Sequence, residues 1–339
     1  MSAETGSFQE QLTALLGRLW PEGTPGEARM LTGGASQETW AFEVGTPNGP
    51  HPLILRRSAS APESATDSIA LADEARLIDR LARHGLAVPA VEYVLRPKDG
   101  LGEGFVMTQF AGETLPQRIL KVPELAGARE RLAWDCGMFL GTLHQVPTGE
   151  LGFLRKTDTA EEIERQYQQY RRTGVRRPVF ELAFRWLRDH CPPDGGAAAL
   201  VHGDFRNGNL IVADSGLRAV IDWELAHLGN PMEDLGWICV SSWRFGELDH
   251  PVGGFGSREA LLAGYEAAGG GRVDPEVVAY WEIFGTLRWG VICQVMAESY
   301  VSGAHRTVER AVIGRRSSEA EVDLLHLLAP LERGALPTT

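Results

Sequence analysis

Asp204, Asn209 and Asp222 are the residues whose types and spacing best suit chemistry. Asp204 and Asn209 stand five positions apart in Leu200-Val201-His202-Gly203-Asp204-Phe205-Arg206-Asn207-Gly208-Asn209. Two short apolar, β-prone runs follow, Leu210–Val212 and Ala219–Ile221, separated by Ala213-Asp214-Ser215-Gly216, which reads as a hairpin turn. Asp222 comes directly after the second run. A hairpin with polar residues at both open ends is expected to bring the three side chains together as one oxygen-rich site. Hard oxygen donors suit Mg2+, which keeps several waters and is commonly held by one or two carboxylates together with substrate phosphates. Asn209 and Asp222 are the candidate metal ligands. Asp204 is left to accept a proton from an attacking hydroxyl. A plain hairpin with turn-capping Asp and Asn explains neither the Asp-to-Asn spacing nor the second Asp.

The elements that must position these residues follow from pattern. Phe8, Leu12, Leu15, Leu16 and Leu19 recur at helical spacing and predict an opening helix ended by Pro21. Residues Leu31 to Val44 read as strand, Gly-rich turn, strand. Gly33 and Gly34 let the backbone approach a ligand, although a Gly-Gly pair alone is more often only a turn. Pro52 to Arg57 is a short buried strand ending in cations. Asp67 to His84 is a helix closed by Gly85, with an apolar stripe of Leu71, Ala75, Ile78, Leu81 and Ala82. Glu74 falls on that stripe, so it needs a partner; Arg56 or Arg57 from the neighbouring strand supplies one. Val91–Leu95 and Gly104–Phe110 form another hairpin, and Gly100, Gly102 and Gly104 a plain turn. Ala111 to Leu115 reads as a linker. Beyond it, helices are expected over 131–144, 160–172, 180–190, 257–268, 275–299 and 319–328. The expected class is α+β: an antiparallel sheet with one helix, then a mainly helical half.

Composition narrows the possibilities. The chain has 339 residues, 43% of them apolar, enough for one large or two modest domains. The net charge of -12 disfavours nucleic acid as a partner. Four well-separated cysteines without a C-x-x-C pair argue against a disulfide framework or a zinc site and for a reducing compartment. No apolar run is long enough to span a bilayer, and no secretory signal is visible at the N-terminus, so the expected location is cytoplasmic.

His202-x-Asp204-x-x-x-x-Asn209 matches the spacing of the kinase catalytic loop, and Asp222 falls where kinases place the Asp of D-F-G. With Gly229-x-Pro231 and Asp234-Leu235-Gly236, the chain from about Leu31 onward resembles the aminoglycoside phosphotransferase and choline kinase-like small-molecule kinases. His202–Trp223 and Ala311-Val312-Ile313-Gly314-Arg315-Arg316 are similar to the branch of kinase-like domains fused to acyl-CoA dehydrogenases. The resemblance implies a protein-kinase-like two-lobed fold with ATP in the cleft: a nucleotide-binding lobe over 1–107, a hinge at 108–112 and a catalytic and substrate lobe over 113–339. It implies that Thr108 to Phe110, with Met107 just before them, face the adenine. Gly33, Gly34 and Ser36 would lie over the phosphates. Arg56 falls where these kinases carry a phosphate-binding lysine, and Glu74 on its ion-pair partner; the acyl-CoA dehydrogenase-associated branch resembles this chain in having Arg there. The implied reaction moves a phosphoryl group from ATP, with Mg2+, to the hydroxyl of a small molecule.

Two other readings bound this one. A nucleotide-binding pseudokinase that regulates a partner is disfavoured by the presence of Asp204, Asn209 and Asp222 together. An aminoglycoside kinase needs a carboxylate-rich pocket, but the last residues are not acidic, and Glu161, Glu162 and Glu164 share their helix with Arg165, Arg171 and Arg172. A mixed or basic pocket suits a hydroxy acid or hydroxyacyl-CoA better than an amino sugar. His202 is expected to brace its loop, and Asp234 to cap a helix or brace the same loop. Arg206 and Asn207 either touch substrate or hold the loop.

Overall fold

The computed structural model describes residues 2–31, 37–58, 68–193, 196 and 198–332. The chain divides into two compact units: residues 1–112 with 218–225, and residues 113–217 with 226–339.

The first unit opens with α1 (Ser2–Leu19). The strands are β1 (Thr24–Pro25), β2 (Arg29–Met30), β3 (Glu38–Thr46), β4 (Gly49–Ser58), β5 (Val91–Val94) and β6 (Glu103–Thr108), with α2 (Leu71–Arg83) between β4 and β5. The order in the sheet is β1-β3-β4-β6-β5, with β2 also on β3, and these pairings are antiparallel. Side chains alternate faces along a strand, and that alternation sorts β4. Leu53 and Leu55 join Phe8, Leu12, Leu15 and Leu16 of α1 in one apolar core. Arg57, in step with them, lies over the Phe8 ring at 4.4 Å. Arg56 therefore points to the opposite face, where Glu74 is buried on α2. Gly104 on β6 is needed here, because a Cβ would strike the Arg56 carbonyl and the Arg57 backbone.

The helix expected from Asp67 begins instead at Leu71. Asp67 lies outside the described residues, and residues 68–70 are not helical. The Ile69 N–H donates to the Glu224 carbonyl at 2.8 Å, a tertiary bond that competes with a first helical turn. Val220 N–H likewise donates to the Ala87 carbonyl at 2.9 Å. These bonds explain why 218–225, expected within the second lobe, groups with the first unit.

The second unit contains α3 (Pro116–Lys121), α4 (Ala126–Leu143), α5 (Thr159–Arg172) and α6 (Pro178–Asp189). The strands β7 (Ala199–Val201), β8 (Leu210–Ala213), β9 (Gly216–Val220) and β10 (His227–Gly229) follow, then α7 (Met232–Trp237), α8 (Arg258–Ala267), α9 (Pro275–Val301), α10 (Val308–Arg315) and α11 (Ser317–Glu332). β7 pairs with β10, and β8 and β9 form the expected hairpin, along which the chain leaves this unit. α9 is buried on several sides: Trp281, Ile283, Phe284, Leu287 and Val291 all belong to the core formed with α5, α6, α7 and α11. α4 and α8 pack backbone to backbone. A Cβ at Gly137 would strike the Leu261 carbonyl, one at Gly141 the Tyr265 carbonyl, and one at Gly264 the Trp134 carbonyl.

Candidate active site

In the first unit, Arg56 is the centre of a cluster of carboxylates. Its Nη2 lies 2.8 Å from Asp222 Oδ1 and 2.9 Å from Glu224 Oε2, and its Nε donates to Gln37 Oε1 at 2.7 Å. Glu74 Oε2 is 3.2 Å from the same Nε, an ion pair without an aligned hydrogen bond because that N–H is aimed at Gln37. Arg57 pairs with Glu38 instead. Burial pushes the Glu74 carboxyl up to about 7 against the opposing pull of Arg56, and Asp222 and Glu224 push the same way. Arg56 is held above its ordinary value by Glu74, Asp222 and Glu224, despite the burial that works against its charge.

Asp222 adopts φ 70°, one of two non-glycine residues with positive φ among those described. Asp tolerates this left-handed region better than most residues. The conformation costs of order 1–3 kcal/mol and persists only where surrounding contacts impose it. Here the bonds from Arg56 to Asp222 and of Ile69 to Glu224 do so.

Thr108, expected at the hinge, closes β6: its N–H donates to the Ala90 carbonyl, and its Oγ1 accepts from Ala90 N–H, both at 2.9 Å. Gln109 N–H donates to the Pro52 carbonyl, which leaves Met107 half-buried on β6 and Phe110 half-buried beneath Arg218. Gly33, Gly34 and Ser36 lie outside the described residues.

In the second unit, the loop after β7 holds Asp204 by three donors. Trp237 Nε1 donates to Oδ1 at 2.8 Å, Asn209 Nδ2 to Oδ2 at 2.7 Å, and Arg206 Nε lies 3.1 Å from both oxygens. Asn209 Nδ2 also donates to the Asp204 carbonyl at 2.9 Å. The amide nitrogen of Asn209 is thereby committed, and its oxygen Oδ1 is the atom available to a hard cation.

The loop itself is braced from below. Asp234, fully buried, accepts from His202 N–H at 2.8 Å and from Gly203 N–H at 3.0 Å. His144 Nε2 lies 3.2 Å from Asp234, and its Nδ1 3.0 Å from the Tyr265 hydroxyl. Burial works against the Asp234 charge, but His144 and the His202 N–H hold its carboxyl below the ordinary value. Asp234 is thus the brace, not a helix cap: α7 has Pro231 at its N-cap and no side-chain cap bond. His202 Nδ1 accepts from Asp204 N–H at 3.1 Å, the bracing role expected of it. Asn207 Nδ2 holds the loop to the Gly253 carbonyl at 2.7 Å.

Sequence reasoning missed Glu224, Trp237, His144 and Tyr265. Glu224 stands within the recognised stretch and two residues after Asp222, so proximity could have drawn notice to it. The other three lie far from Asp204 in sequence, and no spacing announces them.

A divalent cation has a physical place in this chemistry. One guanidinium facing three carboxylates leaves an excess of negative charge in the first unit. Among the described residues no group of three or more His, Cys, Asp or Glu could hold a metal by itself. A bound Mg2+ would have to complete its shell with water and phosphate oxygens, as it commonly does.

The model of the phosphotransferase enzyme family, APH, matches residues 27–275, and the chain belongs to that family. It is 30% identical over 200 residues, 56% of this chain, to acyl-CoA dehydrogenase family member 10 of Mus musculus. The match covers 18% of that relative's length, so the chain spans under a fifth of it. A candidate aminoglycoside phosphotransferase from Ralstonia eutropha superposes with a TM-score of 0.71 at 22% identity, covering 94% of this chain and 97% of that one. The streptomycin–ATP–APH(2")-IIa ternary complex superposes with a TM-score of 0.58 at 18% identity, covering 84% and 89%. The fold is the two-lobed, kinase-like one, with an antiparallel-sheet lobe and a mainly helical lobe, and the chain is a small-molecule phosphotransferase by family.

Proposed function

We propose that this phosphotransferase moves the γ-phosphoryl group of ATP to a hydroxyl of an anionic small molecule, a hydroxy acid or hydroxyacyl-CoA. The acceptor oxygen forms a bond to the γ-phosphorus as the bond from that phosphorus to the β–γ bridging oxygen breaks. ADP leaves, and the hydroxyl proton passes to Asp204. Asn209 and Asp222 would hold Mg2+, which supplies neutralisation of the charge that develops on the phosphates. Arg56 positions the triphosphate and Glu74 orients Arg56. Residues 1–107, with 218–225 grouped with them, serve as the nucleotide lobe, 108–112 as the hinge with Met107, Thr108 and Phe110 at the adenine, and the rest of 113–339 as the catalytic and acceptor lobe. Gly33, Gly34 and Ser36, which lie outside the described residues, are assigned to the phosphates by the family resemblance alone. A cytoplasmic setting fits four cysteines that form no disulfide; no helix among the described residues is long and apolar enough to cross a membrane.

The single observation that carries this reading is the hydrogen-bonding of Asp204: its carboxylate is presented by Trp237, Asn209 and Arg206, while Asn209 keeps its oxygen free of that duty. The ATP seen with a neighbour of the same fold supports the donor. The acceptor class is read from Arg206 in this loop and from the name of a relative, and three arginines of this unit lie over indole rings. Arg206 lies over Trp243 at 4.7 Å, Arg288 over Trp237 at 4.8 Å and Arg316 over Trp289 at 5.4 Å. Arg288 and Arg316 are already paired with Glu233 and Glu319, which leaves Arg206, a quarter exposed beside Asp204, as the cation that an anionic acceptor would meet. The acyl-CoA dehydrogenase name of the mouse relative favours a CoA thioester among anionic acceptors.

ADP release in the presence of Mg-ATP tests the proposal against a panel of hydroxy acids, their CoA thioesters and amino sugars. Acceptor-dependent turnover with an anionic compound is expected, lost in Asp204→Asn. Turnover confined to amino sugars would overturn the acceptor class. Mg-ATP binding without turnover of any acceptor would favour a pseudokinase.

A further inference from the structure

Trp237 makes a hydrogen bond that the rest of the tryptophan cluster does not. The second unit buries several indoles around α9, and Nε1 of Trp243, Trp281 and Trp289 has no hydrogen-bond partner among the described residues. This core therefore accepts indole rings for their packing alone. Trp237, at the last turn of α7, instead aims its N–H at Asp204 Oδ1, 2.8 Å away.

The ring that carries this donor is held from several sides. Gly285 on α9 gives it room, since a Cβ there would lie 3.0 Å from Trp237 Cε3. Trp243 packs against it with ring centroids 5.2 Å apart. Arg288 lies over it at 4.8 Å and is itself fixed by the buried Glu233, 2.9 Å away, whose other oxygen is 3.1 Å from His227 Nε2. The side chain is 3% exposed. Arg206, the alternative partner for the same oxygen, is more exposed, with 25% of its side chain in solvent, and lies equally far from both Asp204 oxygens. It neutralises charge without selecting an oxygen.

We infer that Trp237 is a positioning residue for phosphoryl transfer: its buried indole N–H fixes the Asp204 carboxylate so that one defined lone pair faces the acceptor hydroxyl. An ionised carboxylate offers about four acceptor sites. Trp237 occupies one on Oδ1 and Asn209 one on Oδ2, and Arg206 spans the pair. The two fixed donors thus determine which sites are left to Arg206, and the more exposed Arg206 must yield one of them to the acceptor hydroxyl. Loss of the indole donor lets the carboxylate turn about its terminal bond, and small misplacements of a reacting group cost catalysis steeply. The inference rests on the proposed role of Asp204 as proton acceptor.

Trp237→Phe keeps an aromatic ring under Arg288 and removes only the donor with its fused ring. It is expected to lower kcat roughly 10–100-fold while KM for ATP stays within about twofold. In an Asp204→Asn background the same substitution should cost nothing further, because the two side chains act as one unit. A readout independent of activity, and of whether the Phe variant folds, is the Trp237 indole resonance, assigned through its own backbone in 15N-labelled protein. It should shift, and its N–H should exchange faster, in Asp204→Ala, while the Trp281 indole is unmoved. If Asp204→Asn is fully active, the phosphotransfer reading of Asp204 fails. If Asp204→Asn is inactive but Trp237→Phe has wild-type kcat, or the Trp237 resonance ignores the loss of Asp204, this inference fails alone.

Discussion

The two carboxylate sites are built on opposite principles. Around Arg56, three carboxylates share one guanidinium, so negative charge is in excess: the guanidinium bonds go to Gln37, Asp222 and Glu224, and Glu74 is left with an ion pair to it and a backbone bond from Trp223. Around Asp204 and Asp234, donors are in excess and each carboxylate is hydrogen-bonded on both oxygens. The acidities follow. Glu74 is pushed up to about 7 by burial, whereas Asp234, just as buried, is held below its ordinary value by His144 and the loop N–H groups. Burial alone does not decide a buried carboxylate's charge; the supply of donors does. One site is suited to receive added positive charge, the other to hold a proton acceptor still.

The sharpest way to break this contrast is at the proton acceptor. Asp204→Asn keeps the shape and most hydrogen bonds but removes the basic oxygen, and turnover should fall roughly 10²–10⁴-fold. Calorimetry should show Mg-ATP binding retained, and wild-type turnover would remove Asp204 from the role. Next in size, Arg56→Ala should raise KM for ATP and lower turnover, each roughly tenfold or more. Arg57→Ala, on the α1 face, serves as its control; the reverse outcome would relocate the phosphate-binding role to Arg57.

The other two predictions concern stability. Asp234→Ala strands two buried N–H groups and should destabilise the fold by about 2–5 kcal/mol, read by denaturant unfolding. A loss within error would show the loop to be held by other means. Glu74 gives the smallest effect, and its sign is opposite to that of Asp234. A raised acidity constant means that the native state favours the protonated form. This stabilisation is full below the ordinary value of 4.5 and is lost as pH rises through about 7. Asp234 behaves the other way, losing its contribution as pH falls. Without nucleotide or Mg2+, Glu74→Gln should flatten the fall in melting temperature between pH 5 and 8 by roughly a few degrees. An unchanged slope would mean that Glu74 is ionised throughout.

How much of this was legible in the sequence depended on the range of the forces involved. α1 and α4 announced themselves because their apolar residues repeat over several turns and are buried as the repeat demands, and α9 because it is apolar nearly all round and buried on several sides. β1, β7 and β10 were not expected, and the strand expected from Leu31 lies just earlier, as β2; at two or three residues, a strand carries no measurable alternation. α10 was also missed, because Val308 and Val312, its most visible repeat, are exposed and give no core-facing stripe. The Asp204-to-Asn209 spacing could be read because both lie in one loop, and period-two alternation along β4 separates Arg56 from Arg57. Trp237, His144 and Tyr265 reach the same loop only through tertiary packing, including the glycine-lined approach of α8 to α4. Nothing local records that approach.

The passage of the chain along β9 has a practical corollary. Residues 218–225 count with the sheet-bearing unit although more than a hundred residues of the other unit precede them. Neither lobe is therefore a contiguous fragment, and no single scission yields an intact half. A truncation after Gly112 would discard Asp222 and Glu224, leaving Arg56 with Glu74 as its sole acidic neighbour of the three. Dissection by fragment expression would mislead; tethering or splicing residues 218–225 back onto the shortened piece is the form in which that lobe can be studied alone.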